Sequence, residues 1–159
     1  MLEPAAAVGH IAAAGFTHVV WIPDSAVGPW EPALVSNPQL KLIRPCREGE
    51  AIGIAAGLML GMARPLVVIQ CTGLFEAGDS LRNVVHDLHL PLKLIVGVRS
   101  YAAHRAGKSV DSCPVYMEPV LTAWKVPYTL LADSNVAGFA AGVRELAGTA
   151  GARALLLGE

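Results

Sequence analysis

A parallel α/β fold, with six strands in one sheet and helices on both faces, is predicted by three observations. Strand-like and helix-like segments alternate about six times along the chain. Leu66-Val67-Val68-Ile69-Gln70-Cys71 and Leu92-Lys93-Leu94-Ile95-Val96-Gly97-Val98 are near-continuous apolar runs rather than alternating ones, as parallel strands covered on both faces require. Prolines punctuate the strand ends, with Pro23 after the first strand and Pro65, Pro91 and Pro127 opening later ones.

Each element has a local reason. Pro4 to Ala14 is alanine-rich and stops at Gly15, so it reads as a first helix. Thr17 to Ile22 is β-branched and aromatic, a strand that Pro23 ends, and Pro23-Asp24-Ser25 is the loop at its end. Leu40 to Arg44 is a second strand. The segment from about Glu48 to Met62 shows no polar face after its first turn, which predicts a helix buried on all sides. The strand opened by Pro65 leads through Thr72-Gly73 into a helix carrying Leu81, Val84, Val85 and Leu88, and the next strand follows Pro91. Arg99 to Pro114 is polar and without period, hence a loop, and loops of that length are usually functional or mobile. Val115 to Trp124 is a helix, Pro127 to Leu131 a strand, and Ala152 to Leu157 the last strand. Between those two strands a helix capped by Asp133 or Ser134 runs to Ala147.

Composition bounds the function. A chain of 159 residues is expected to form one domain spanning 1–159, and 53% hydrophobic against 16% charged residues suggests that part of the apolar surface meets a partner. A formal charge of −1 leaves no basic excess for nucleic acid. Cys46, Cys71 and Cys113 lack CxxC spacing, which argues against a disulfide framework or zinc site and for a reducing cytoplasm. No uncharged run reaches membrane-spanning length, and the first residues lack the pattern of a secretion signal. A soluble cytoplasmic protein is expected. GxGxxG after the first strand, GxxxxGK[ST] and GxSxG are all missing, which removes dinucleotide, P-loop and serine-hydrolase readings. His86 and His89 lie one helical turn apart without a suitable carboxylate or cysteine, so no metal site is expected.

In a parallel sheet, ligands bind beyond the carboxyl ends of the strands. That edge gathers Pro23-Asp24-Ser25, Arg44 to Glu50, Gln70 to Gly73, and Arg99 onward. Arg47-Glu48-Gly49-Glu50 runs straight into the apolar helix, placing its acids at the mouth of the interior. Burial favours a protonated carboxyl and a helix N-terminus favours an ionised one, so an acid at this junction can exchange a proton with a ligand.

These residues carry a resemblance. Pro23-Asp24-Ser25, then Arg47-Glu48-Gly49-Glu50-Ala51-Ile52-Gly53-Ile54-Ala55-Ala56-Gly57, then Pro65 to Leu74, then Leu90-Pro91-Leu92 and Val96-Gly97-Val98-Arg99, resemble the pyrimidine-binding domain of thiamine-diphosphate-dependent decarboxylases. Within that family they are most similar to sulfopyruvate decarboxylase alpha subunits and the N-terminal half of phosphonopyruvate decarboxylases. The resemblance implies that Glu48 hydrogen-bonds N1′ of the cofactor's aminopyrimidine, promoting the tautomer that activates the thiazolium. A 2-oxo acid then loses carbon dioxide into the cofactor's electron sink, giving an aldehyde. It implies that Gln70, Thr72 and Gly73 lie beside the pyrimidine and that Asp24 and Ser25 lie over the reacting centre. Glu50, two residues too late for the family's helix register, would be a supporting acid. A second anion on the substrate, sulfonate or phosphonate, would need basic partners, for which Arg99, His104, Arg105 and Lys108 are the candidates.

Two departures matter. Phe75-Glu76 stands where the family has Gly-Asn, and Ala77-Gly78-Asp79-Ser80 is not the Gly-Asp-Gly motif that holds the diphosphate and Mg2+. The resemblance therefore implies a separate beta-type subunit supplying that pocket and magnesium, in a hetero-oligomer with two copies of each chain. The alternatives are a non-catalytic assembly or regulatory subunit of the same fold and a carboligating thiamine enzyme half.

Overall fold

The computed structural model describes residues 2–24, 26–133 and 135–159. Six parallel strands form one sheet: β1 (His18–Trp21), β2 (Lys41–Ile43), β3 (Pro65–Gln70), β4 (Lys93–Val98), β5 (Tyr128–Leu131) and β6 (Arg153–Gly158), in the order β2-β1-β3-β4-β6-β5. The central strands β3 and β4 are buried along almost their whole length, which accounts for their continuous apolar sequences.

Side chains alternate between the faces, and each face has its own core. Val20, Val67, Ile69, Leu94, Val96 and Leu156 point to one side. There they meet α3 (Glu48–Leu60), α4 (Cys71–Glu76), α5 (Gly78–Arg82) and α7 (Cys113–Ala123) through Ile52, Ala55, Leu74, Leu81, Met117 and Leu121. Val19, Trp21, Leu66, Val68, Ile95 and Leu155 point to the other. They pack on α1 (Pro4–Ala13), α2 (Glu31–Ser36) and α8 (Val136–Gly148) through Val8, Ile11, Leu34, Phe139 and Val143. Each such fully buried side chain contributes roughly 1.5–3 kcal/mol relative to exposure. On the second face the Trp30 and Phe139 rings meet edge to face, 5.5 Å between centroids.

Several expectations are corrected. Helix α3 is not buried on all sides: Ala51, Ile52, Ala55 and Ala56 face the core, whereas Glu50, Gly53, Gly57 and Leu60 form an exposed stripe one helical turn apart. Because glycine carries no side chain, this stripe was invisible to a count of polar residues. The stretch read as one helix after Gly73 is broken into α4, α5 and a π-helical turn over Asn83–Asp87. The loop from Arg99 contains a short helix, α6 (Tyr101–Arg105), entered through Ser100 in the left-handed region at φ 59°. A 3-10 turn at Gly28–Trp30 and the helix α2 fill a stretch that carries no strand or helix signal of its own beyond Pro29 and Pro32 at helix-starting positions. Helix α8 is capped by Asn135, whose Oδ1 accepts from the Gly138 amide at 2.7 Å; Asp133 lies before the cap and Ser134 lies outside the described residues. No helix among the described residues is long and apolar enough to cross a membrane.

Candidate active site

All strands run the same way, so the segments following β1, β2, β3, β4 and β6 share the carboxyl edge of the sheet. Helix α3 begins there directly after the second strand's connection. Arg47 is extended and Glu48 is the first helical residue, half-buried. The Glu48 side chain rests on Gly73 of α4: the space a Cβ would take at Gly73 is already filled by the Glu48 carboxyl and its Cγ. Only glycine at position 73 lets that carboxyl lie down on the backbone of α4. The carboxylate has no hydrogen bond or ion pair among the described residues, so its acceptors remain open.

The neighbouring acids are engaged. Glu50 Oε2 accepts from the Cys46 amide at 2.8 Å, closing the turn before α3, and its side chain is exposed; it supports the backbone there. Glu76, the departure from the family pattern, takes Arg47 Nη2 at 2.5 Å and the Gly49 amide at 3.4 Å. It thereby ties the end of α4 to the first turn of α3, where an acid also complements the helix dipole. Gln70 ends β3, and its Oε1 accepts from the Thr72 hydroxyl at 3.2 Å; Thr72 is exposed and Gly73 buried. Asp79 is paired with Arg82 at 2.9 Å. Among the described residues no group of three or more histidines, cysteines or acids could hold a metal ion.

Asp24 has a double role. Its Oδ1 accepts from the Ala26 and Val27 amides, both at 2.8 Å, which turns the chain toward Gly28. Its Oδ2 points inward over Gly97, buried and with no donor among the described residues. Glu159, directly after β6, brings a second buried oxygen, Oε1, to the same spot. Burial, reinforced by the charge and hydrogen bonding of Asp24, pushes the Glu159 carboxyl up to about 7. Sequence reading missed Glu159; a lone acid ending a strand on the ligand-binding edge was its only signal. Ser25 lies outside the described residues.

The basic candidates do not converge. Arg99 Nε donates to Asp111 Oδ2 at 2.9 Å. Asp111 also accepts from the Cys113 amide and the Ser100 hydroxyl, and these bonds, the Cys113 amide first, hold its carboxyl down at about 2. Arg105 lies over the Tyr101 ring at 5.9 Å, His104 is half-buried with no partner for its Nδ1 among the described residues, and Lys108 is exposed beyond α6. Burial pushes the Cys71 thiol up and the Cys113 thiol up to about 12, so neither supplies a thiolate nucleophile at neutral pH. His86 Nε2 is engaged by the Trp124 carbonyl at 2.6 Å.

No protein-family model matches this chain. Over 95 residues it is 28% identical to a phosphonopyruvate decarboxylase of Streptomyces viridochromogenes, a match covering 60% of this chain and 24% of that protein. In structure it is similar to a thiamine diphosphate-dependent 4-hydroxybenzoylformate decarboxylase of Rhodococcus jostii RHA1, with a TM-score of 0.71 and 19% identity, covering 98% of this chain and 30% of that one. It is also similar to a split-gene transketolase solved as an inactive β4 tetramer, with a TM-score of 0.70 and 18% identity, covering 96% of this chain and 50% of that one. The chain thus spans about a quarter of the curated relative's length and half or less of these solved chains. Its fold is shared with part of a split-gene transketolase and part of a thiamine diphosphate-dependent decarboxylase, and part of its sequence is similar to a phosphonopyruvate decarboxylase.

Proposed function

We propose that this chain is the alpha-type subunit of a thiamine-diphosphate-dependent 2-oxo acid decarboxylase acting on sulfopyruvate or phosphonopyruvate, completed by a beta-type subunit that holds the diphosphate and magnesium. The observation that carries the reading is the open Glu48 carboxylate lying on Gly73. A flat ring laid along the first turn of α4 can approach the backbone at Gly73 and present a ring nitrogen to Glu48.

When bound, the cofactor supplies the electron sink for the departing carbon dioxide. This chain's residues do the rest of what is assigned here. Glu48 shares a proton with the ring nitrogen, and Gln70, Thr72 and Gly73 wall the ring. The loop of Asp24 and Ser25 is assigned to the substrate side, and the substrate's second anion is assigned to Arg105 and Lys108, exposed around α6, with His104, and with Arg99 once it is released from Asp111. The exposed stripe of Gly53, Gly57 and Leu60 on α3 supports burial against another chain. The likeness to a split-gene transketolase supports a site divided between polypeptides.

The test is carbon dioxide release from sulfopyruvate and phosphonopyruvate by the chain co-purified with its partner, with thiamine diphosphate and Mg2+ added. Turnover of either substrate is the expected result. By calorimetry the isolated chain should bind the cofactor weakly; tight magnesium-dependent binding without a partner would contradict the divided site. Assembly without any turnover would favour the regulatory-subunit reading.

A further inference from the structure

We propose that a cavity at the amino edge of the sheet binds a small monocarboxylate with an apolar body, its carboxylate held by Lys93 and Arg64. This site stands apart from the decarboxylase reading, which uses the opposite edge.

The cavity has a volume of about 340 Å3 and lies where the strands begin. Phe16 before β1, Met59 at the end of α3, and Pro65 and Pro91 at the approaches to β3 and β4 give it apolar walls. Lys93 and Arg64 line it as cations, and neither has an acidic partner among the described residues. Apolar walls with a few converging polar groups are the usual form of a small-ligand site.

The charges are arranged for one anion. Lys93 is only 8% exposed, so its ammonium depends on what the cavity wall offers. Two of its three N–H groups go to the Thr149 carbonyl at 2.6 Å and the Gly151 carbonyl, and the third has no acceptor among the described residues. Arg64 is exposed, its guanidinium 6.0 Å from the Phe16 ring centre. Its Nη2 reaches the Ala14 and Ala147 carbonyls only at 3.5 and 3.3 Å, and its Nε and Nη1 have no acceptor among the described residues.

These carbonyls belong to the ends of α1 and α8 or follow them, and each helix end carries about half a negative charge. The two ends thus offset roughly one of the two unit charges. Helix α3 closes its own last carbonyls with the Gly61, Met62 and Ala63 amides. Arg153, the other cation near Lys93, is paired with Glu145 at 2.5 Å. About one positive charge is left over, and a buried charge without a partner is costly. A monoanion supplies the partner. The guanidinium fork matches the two oxygens of a carboxylate, and the ammonium adds a point charge. An apolar body covers the Phe16, Met59 and proline walls, which a bare inorganic anion would leave wet. Burial first, then Arg153 and Arg64, lower the Lys93 amine to about 8, in keeping with a cation that lacks a counter-charge.

The experiment titrates benzoate, and benzamide as its uncharged isostere, into the full chain by calorimetry, with the lysine side chains 13C-labelled for NMR. One benzoate should bind per chain, at least about tenfold more tightly than benzamide, and should shift the Lys93 signal. An anion favours the charged amine, so benzoate should raise the Lys93 titration and its affinity should fall as pH rises through about 8. Lys93→Met and Arg64→Gln should each weaken binding about tenfold. Ala63→Phe, which keeps both cations and fills the space, should abolish it. The wild-type Lys93 signal needs no variant to fold. Absence of saturable binding, equal binding of benzoate and benzamide, or binding that leaves the Lys93 signal unmoved would overturn the site. Acetate binding as tightly as benzoate would overturn the assignment of an apolar body.

Discussion

The Glu48 carboxyl lies on the bare backbone of Gly73, so the first turns of α3 and α4 meet with no β-carbon between them. That contact joins the two loops on which the proposed function depends, and it makes the site sensitive to a single methyl group.

Gly73→Ala places a β-carbon where the Glu48 carboxyl now sits. The half-exposed Glu48 side chain can rotate away, from Cγ outward, so thermal stability should change little. Displacing the acid by about 1 Å should nevertheless lower kcat/KM of the assembled enzyme on the order of 10²-fold. Melting curves and steady-state kinetics on the same preparation check both halves.

Two other glycines separate packing from propensity. Gly142 of α8 faces Leu155 of β6, whose Cδ1 lies 2.6 Å from the position of an added Cβ in a fully buried layer. Alanine gains about 1 kcal/mol of helix propensity there, but overpacking costs about 1–3 kcal/mol, so Gly142→Ala should destabilise. Gly53 of α3 has open space around it, and Gly53→Ala should stabilise the isolated chain by about 0.4–1 kcal/mol. Denaturant unfolding of both variants should give shifts of opposite sign.

Lys93 gives stability a pH dependence at the other edge of the sheet. Its ammonium is buried against the Thr149 carbonyl at 2.6 Å and the Gly151 carbonyl, among Arg153 and Arg64. Burial first, then those cations, lower it from 10.5 to about 8. Between these values the unfolded chain binds more protons than the folded one, so this group's contribution is present above 10.5 and is lost as pH falls through about 8. Lys93→Met should remove that slope from melting temperature against pH; a wild-type slope of opposite sign would contradict the assignment.

The sheet was legible in the sequence because β3 and β4 are buried along almost their whole length and prolines mark their approaches. Glu48 and Gly73 were legible through motif spacing. What escaped shares a cause: it depends on residues remote in the chain. The pairing of Asp24 with Glu159 is made by strand order, which brings the ends of β1 and β6 over β4. Similarly, Arg99 looked free for a substrate anion until Asp111, in the following loop, was seen to hold it. The exposed face of α3 escaped for the opposite reason, since glycines at 53 and 57 read as apolar while contributing no side chain to bury.

The most direct test of the account is Glu48→Gln in the partner-assembled enzyme, with carbon dioxide release followed at saturating cofactor. Glutamine keeps the size of the side chain and removes its capacity to share a proton, so turnover should fall by about 10²–10⁴-fold while assembly is retained. Turnover equal to that of the wild type would contradict the claim that this carboxyl acts on the cofactor's ring.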